Sequence, residues 1–362
     1  MKKVLILTNH SYMLYQFRRE LVQKLMEDCK VVLSMPYVGH ESDFLAMGCQ
    51  CIETEVDRRG INPVTDSRLL WKYLKILRKE KPDLVVTYSI KPNIYGGLSC
   101  SLLGIPYCAN VQGLGTAFQK KGLAAFVTLL YKAAFHRVKT VFFENEENAA
   151  EFRSRNILSR DRQVILHGAG VNLEHYACRP YPKDGQIHFL YLGRIMREKG
   201  VEELFGAMRR LKEKYGEGVI LDIVGFFEDE YREIVEELQE KQIAVFHGFQ
   251  SETRPYYEAA HCVVLPSYHE GMSNVLLEAS SCARPIITSD IPGCREAVED
   301  GKTGYLCRVK DTDSLYQKME QFLELTYEDK RQMGLMAREK MKTEFDKAEI
   351  VNETVRVIYE KI

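Results

Sequence analysis

Short apolar runs alternate with amphipathic stretches along the whole chain. Runs at 4–7, 31–34, 51–55, 84–87, 107–110, 140–143 and 163–166 have the length and branched content of buried strands. The stretches between them, such as 15–26 and 66–80, place apolar residues at helical spacing. The second half repeats the alternation, with strands predicted at 187–192, 220–224, 244–246, 262–265, 285–289 and 304–306. Strands alternating with helices predict an α/β architecture of doubly wound parallel sheets. Between the halves, Arg179-Pro180-Tyr181-Pro182-Lys183-Asp184-Gly185 fits neither helix nor strand and reads as a linker. Residues 1–178 and 179–345 are therefore expected as two domains, followed by a tail at 346–362 whose period is helical. A chain of 362 residues is longer than one core usually supports, which agrees with two.

Composition narrows the class. Hydrophobic residues make up 45% of the chain, enough for two cores, yet no apolar run approaches the ~20 residues of a membrane-spanning helix. The opening Met-Lys-Lys-Val-Leu-Ile-Leu-Thr-Asn-His predicts a buried strand rather than a signal peptide, so a cytoplasmic protein is expected. Ten cysteines are scattered among apolar neighbours without any Cys-x-x-Cys pair, which fits reduced buried thiols better than zinc or disulfides. The net charge of −1 hides an asymmetry. Residues 1–178 carry 24 Lys and Arg against 17 Asp and Glu, and the remainder carries 26 against 34. A basic first half suits an anionic partner, and interspersed solvated faces explain it as well. No basic cluster interleaves with aromatic residues, which disfavours nucleic acid.

The candidate chemistry sits in the second half. His269-Glu270-Gly271-Met272-Ser273-Asn274-Val275-Leu276-Leu277-Glu278 runs from a loop into an apolar helix, with Ser273 or Asn274 suited to cap it. Amides at a helix start attract an anion. Glu270 beside that point and Glu278 a turn further in would repel phosphate, so they suit sugar hydroxyls. An ordinary capping loop with one solvated and one buried Glu fits these ten residues equally. Upstream, the strand 187–192 leads into Gly193-Arg194-Ile195-Met196-Arg197-Glu198-Lys199-Gly200 and then a helix. That places Arg194 and Lys199 on a strand-to-helix loop, where open α/β sheets bind ligands. Both side chains suit phosphate oxygens, and a solvated loop with ordinary surface bases accounts for this segment better when it is taken alone.

Together these motifs resemble the retaining family-four glycosyltransferases of the GT-B fold. The resemblance continues through residues 290–306 and Gly170-Val171-Asn172-Leu173. Asp57-Arg58-Arg59-Gly60, Ile90-Lys91-Pro92-Asn93-Ile94-Tyr95-Gly96-Gly97 and Gly113-Leu114-Gly115-Thr116-Ala117-Phe118 are similar to a bacterial subgroup extending surface polysaccharides and lipid-linked oligosaccharides. The resemblance implies two Rossmann-like domains facing across a cleft, with a C-terminal helix crossing back to the first. It implies a nucleotide-sugar donor, UDP-linked by preference, held in the second domain, and an acceptor in the first. Arg194 and Lys199 would neutralise the leaving diphosphate, helped by Gly193 and the Gly271–Asn274 amides. Glu270 would hold donor-sugar hydroxyls and Glu278 the ribose, with the base near Phe249. No cofactor or metal is implied.

Departures from the family pattern sharpen the expectations. Gln112-Gly113 stands where many members have His-Gly; a glutamine can bond the donor sugar but cannot carry a proton. Thr8-Asn9-His10-Ser11 replaces a glycine-rich loop, leaving His10 either near the acceptor or capping the loop. Arg58 and Arg59 are candidates for a polyprenyl diphosphate or acidic sugar, and solvated surface charge explains them equally; Lys91, Asn93 and Tyr95 are further acceptor candidates by position. Asp311-Thr312-Asp313 spells a metal-binding pattern of another fold but precedes a helix, so capping is expected. The stretch 122–132 is apolar nearly all round with lysines beside it, and suits either an anionic membrane surface or a buried position. The chain thus reads as a transferase acting at the inner face of the plasma membrane. A nucleotide-sugar epimerase on the same fold and a non-catalytic nucleotide-sugar-binding protein are the alternatives.

Overall fold

The computed structural model describes residues 1–57, 62–113, 118, 121–183 and 185–362. The chain divides into two compact units, Met1–Ala169 with Ala348–Ile362, and Gly170–Lys347. Arg58 and Arg59 lie outside the described residues.

The first unit holds a parallel seven-stranded sheet. Its strands are β1 Lys2–Leu7, β2 Cys29–Met35, β3 Gln50–Glu53, β4 Leu84–Tyr88, β5 Tyr107–Val111, β6 Thr140–Phe143 and β7 Gln163–Ile165, in spatial order β3-β2-β1-β4-β5-β6-β7. Both faces are covered, which is why β1, β4 and β5 read as continuous apolar runs rather than alternating ones. Side chains alternate between the faces. Leu5 and Leu7 face a core built with α3 Pro63–Glu80, α4 Gly97–Leu103, α5 Lys121–Phe135 and α6 Glu146–Ser154. Val4 and Ile6 face the other core, with α1 Ser11–Met26 and α2 Glu41–Ala46. Asn62 starts α3 by accepting from the amides of Val64 and Thr65, and Pro63 supplies the preset φ of the first turn.

The second unit repeats the winding with six parallel strands, β8 Ile187–Leu192, β9 Val219–Val224, β10 Ala244–Gly248, β11 Cys262–Leu265, β12 Ile286–Ser289 and β13 Gly304–Cys307, ordered β10-β9-β8-β11-β12-β13. Its helices are α7 Val201–Tyr215, α8 Arg232–Glu240, α9 Arg254–Ala259, α10 Asn274–Ser281, α11 Thr312–Glu324 and α12 Tyr327–Glu344. Asp311 caps α11 through the amide of Ser314 at 2.8 Å and also pairs with Arg308, so the Asp-x-Asp sequence serves a helix start. The last helix, α13 Lys347–Tyr359, sends Ile350, Val355, Val357 and Ile358 into the α1 side of the first unit's core.

The segment before the linker belongs to the second unit. The Val171 amide donates to the Phe345 carbonyl at 2.8 Å, and the Tyr176 ring meets Tyr257 edge-on. Buried Arg284 then fastens the linker itself by donating to the carbonyls of Arg179 and Pro180, as well as to those of Tyr257 and Glu258.

Candidate active site

In each sheet the winding reverses direction beside its first strand, between β1 and β4 and between β8 and β11. Loops leaving the carboxyl ends there diverge and open a crevice, the usual ligand position of such sheets. In the second unit those two loops are residues 193–200 and 266–273.

The loops are fastened to each other. The Tyr268 amide donates to the Glu198 carbonyl at 2.8 Å, and the Tyr268 hydroxyl reaches the buried Glu203 carboxylate on α7 at 2.8 Å. Gly200 has φ +70°, and a Cβ there would lie 2.0 Å from the Pro266 carbonyl oxygen, so only glycine fits. Gly293 plays the same part on the far side: its φ is +81°, and a Cβ would lie 2.3 Å from the Gly271 carbonyl oxygen.

Across this seam Lys199 Nζ lies 2.5 Å from Glu270 Oε1. The same oxygen accepts from the Ser267 hydroxyl at 2.8 Å. The two charged side chains remain 18% and 13% exposed, so the pair is sheltered yet reachable. A hydroxyl or phosphate arriving here meets a cation and a carboxylate whose positions are already set.

Arg194 takes a separate partner, Glu228 beyond β9, at 2.6 Å, and is half exposed. Its carbonyl accepts from the buried Tyr191 hydroxyl at 2.5 Å, which fixes the backbone while the side chain lies at the surface. Glu278, one turn into α10, accepts from the hydroxyl of fully buried Tyr257 at 2.8 Å. Burial pushes its carboxyl up to about 7, against the lowering pull of the Tyr257 and Tyr176 hydroxyls and of Lys347. The structure therefore joins Lys199 to Glu270 directly and gives Arg194 and Glu278 bonds of their own.

Other expectations change on the structure. Ser273 is the capping residue of α10 by backbone conformation, but its hydroxyl makes no capping bond; its amide instead donates to Gly293. Its neighbour Asn274 is the first helical residue. The Met272 side chain is in the core and leaves only its backbone for a ligand. Phe249 is exposed and meets the equally prominent Phe226 edge-on at 6.1 Å. Phe226 was not anticipated, although Gly225-Phe226-Phe227 after a strand was its signal. Glu228 and Tyr257 were missed too, because nothing local marks a partner far along the chain, and Ser267, three residues before Glu270, was missed because a serine there reads as ordinary loop polarity.

In the first unit Gln112 and Gly113 follow β5 and are partly buried. His10 precedes α1 in extended conformation, and its side chain makes no bond that caps the helix. The crevice between β1 and β4 is bridged by Ser89, whose hydroxyl donates to Asn9 at 2.9 Å. Asn93 is not placed to meet an acceptor. It is 1% exposed, accepts from Thr87 and donates to the Asn110 carbonyl, because the chain turns inward at Pro92–Gly96. Lys91 lies 2.8 Å from buried Asp66, and Tyr95 shares that carboxylate, so both are committed to α3. Helix α5 is neither wholly buried nor free: Val127, Tyr131 and Ala134 enter the core while Phe126 and Leu129 stay exposed.

Residues 3–145 match the family model described as glycosyl transferase 4-like, and residues 179–340 match that of glycosyl transferases group 1. The N,N'-diacetylbacillosaminyl-diphospho-undecaprenol alpha-1,3-N-acetylgalactosaminyltransferase of Campylobacter jejuni is 26% identical over 331 residues, covering 86% of each chain. The UDP-Gal:alpha-D-GlcNAc-diphosphoundecaprenol alpha-1,3-galactosyltransferase of Escherichia coli is 27% identical, over 71% of this chain and 70% of its own. Among solved structures, Anabaena HepE with UDP and glucose has a TM-score of 0.80 at 15% identity, covering 99% of this chain and 100% of its own. With one transferase model matched in each Rossmann-like unit, the chain belongs to the family-four glycosyltransferases of the GT-B fold.

Proposed function

We propose that this glycosyltransferase moves a sugar from a UDP-sugar to a polyprenyl-diphosphate-linked glycan during surface polysaccharide or oligosaccharide assembly. It would do so with retention, without a metal, at the inner face of the plasma membrane. The observation that carries this reading is the Lys199–Glu270 pair at the switch point of the second sheet. The lipid-linked acceptor is supported by the two relatives' names, which both specify undecaprenyl diphosphate glycans, and the E. coli relative's name specifies UDP-galactose.

The bond that breaks joins the donor C1 to the terminal phosphate oxygen, and negative charge grows on that oxygen as it leaves. Lys199 meets this charge from a fixed, sheltered position, where an ion is worth more than in bulk water. Arg194 joins it by leaving Glu228; an exposed pair of that kind gives up little when it parts. Glu270 accepts hydroxyls of the transferred sugar, and its bonds from Lys199 and Ser267 hold it in place for them. Glu278 accepts the ribose hydroxyls. The new bond forms between C1 and the acceptor oxygen on the face the phosphate departs, and the phosphate takes the acceptor proton. No enzymic nucleophile is required, and no two-carboxylate arrangement of the glycosidase kind is used.

The test is a thermal-shift panel of UDP- and GDP-sugars, followed by transfer to polyprenyl-diphosphate sugars. A UDP-sugar that stabilises the protein and is transferred with its anomeric configuration kept supports the reading. Donor converted to its epimer without acceptor would replace it with the epimerase alternative, and binding without transfer or hydrolysis would leave a binding protein.

A further inference from the structure

The first unit carries a surface unlike the rest of the molecule. From Leu84 to Phe143 the sequence contains no Asp or Glu. The two carboxylates of the described α3 residues, Asp66 and Glu80, are both buried. The exposed side of α3 therefore carries no acid: apart from Ser67 near its start it is basic and apolar. Val64, Arg68, Trp71, Lys75 and Arg78 recur at helical spacing along it, flanked by Lys72 and Lys79. Trp71 is 60% exposed in the middle of this row.

These cations differ from those of the second unit. There, exposed bases are typically matched by acids, as in Arg209 with Glu237 and Lys214 with Glu320. Among the described residues, none of Arg68, Lys72, Lys75, Arg78 and Lys79 lies within ion-pair distance of a carboxylate. The unpaired row continues laterally, because α3 packs on α4 and α4 on α5 over one core. On that same layer Leu102 is 70% and Leu129 64% exposed, with Phe126 beside them. A groove of about 440 Å³ at the ends of α4 and α5 adds Arg137, Lys139 and Arg162.

Exposed aromatic and branched side chains among unpaired bases are what an anionic bilayer surface binds: the rings and aliphatic groups enter the headgroup boundary and the bases meet lipid phosphates. Tryptophan favours that boundary, having an apolar body and a polar edge. A protein partner of matching shape would need a large acidic face. A bilayer needs only density of negative charge, and it suits a layer whose apolar residues are spread over three helices.

We propose that the outer side of the α3–α4–α5 layer is a docking surface for an anionic lipid bilayer, with Trp71 at the lipid–water boundary. Its biological sense rests on the lipid-linked acceptor proposed above, but its physical argument does not. The site is distinct from the donor residues, so the two can be separated by experiment.

Trp71 is the sole tryptophan, and its emission reports the surface directly. The full chain is mixed with vesicles of phosphatidylcholine alone or containing phosphatidylglycerol. A blue shift and co-sedimentation with the anionic vesicles only, reversed by high salt, is expected. Combined Lys72→Gln, Lys75→Gln and Arg78→Gln should weaken partitioning by ~100-fold. The same variant should keep its melting temperature and its transfer to a detergent-dispersed acceptor. Equal binding to both vesicles, or anionic binding with Trp71 unshifted, would overturn the assignment. So would a shift that follows protein concentration without lipid, which would mark a contact between copies of the chain. Loss of transfer with vesicle binding intact counts against the proposed reaction and leaves the surface standing.

Discussion

Single side chains divide here into those whose type reveals their task and those known only by what they touch. Lys199 and Glu270 were legible as a cation and an acid on neighbouring loops, because strand ends fix where such loops lie. Their direct pairing was not, since it depends on the Tyr268–Glu198 bond and on Gly200 lying against Pro266. Asn93 shows the opposite error: a position after a strand suits a ligand, yet its side chain turns inward to Thr87 and Asn110. Glu278 yields a test with a definite sign. Its carboxyl is raised to about 7 by burial, so the folded state favours the protonated form. Stability is then lost as pH rises from the ordinary glutamate value near 4.5 toward 7, and is level above that. Glu278→Gln should remove this loss, gaining on wild type across that window by on the order of 3 kcal/mol at its upper end. Urea unfolding at several pH values measures it, and parallel curves for the two proteins would refute it. Glu228→Ala, by contrast, should change stability by less than ~1 kcal/mol, because the Arg194 it frees is half exposed.

Elements were the most readable level. Every strand lies close to its apolar run, since parallel strands buried on both faces need no alternation to be recognised. Helix α11 began where Asp311 predicted. What the pattern could not convey was how elements share loops, as at α10, whose start is held by Gly293 rather than by the Ser273 hydroxyl. The loop seam gives its own prediction. Gly200→Ala would impose a left-handed conformation and a 2.0 Å approach to the Pro266 carbonyl. The protein should lose ~3 kcal/mol or more, with transfer falling further than stability accounts for, because Lys199 and Glu270 would be pushed apart. Thermal unfolding and initial rates check this together; a variant equal to wild type in both would show the seam to be dispensable.

At the scale of the molecule, two similar sheets and a returning tail were implied by the repeated alternation and by the family resemblance. Charge asymmetry pointed to the first half, but only the structure distinguished the unpaired α3 row from ordinary solvated bases. The tail is integral: Ile350, Val355, Val357 and Ile358 are buried in the first unit, each contributing ~1.5–3 kcal/mol. Together they rival the stability of a whole domain. Removing 348–362 should abolish the melting transition of the first unit while a UDP-sugar still raises that of the second. An unaltered melting profile would contradict that division.

The most direct measurement is the initial rate of transfer by Lys199→Ala beside wild type, with the melting temperature of each. The account predicts a fall of ~10²–10³-fold, as for loss of a charge facing the leaving group. It also predicts only a small change in melting, because Ser267 still holds Glu270. A rate within a few-fold of wild type would show that the charge leaving with the nucleotide is not met at residue 199.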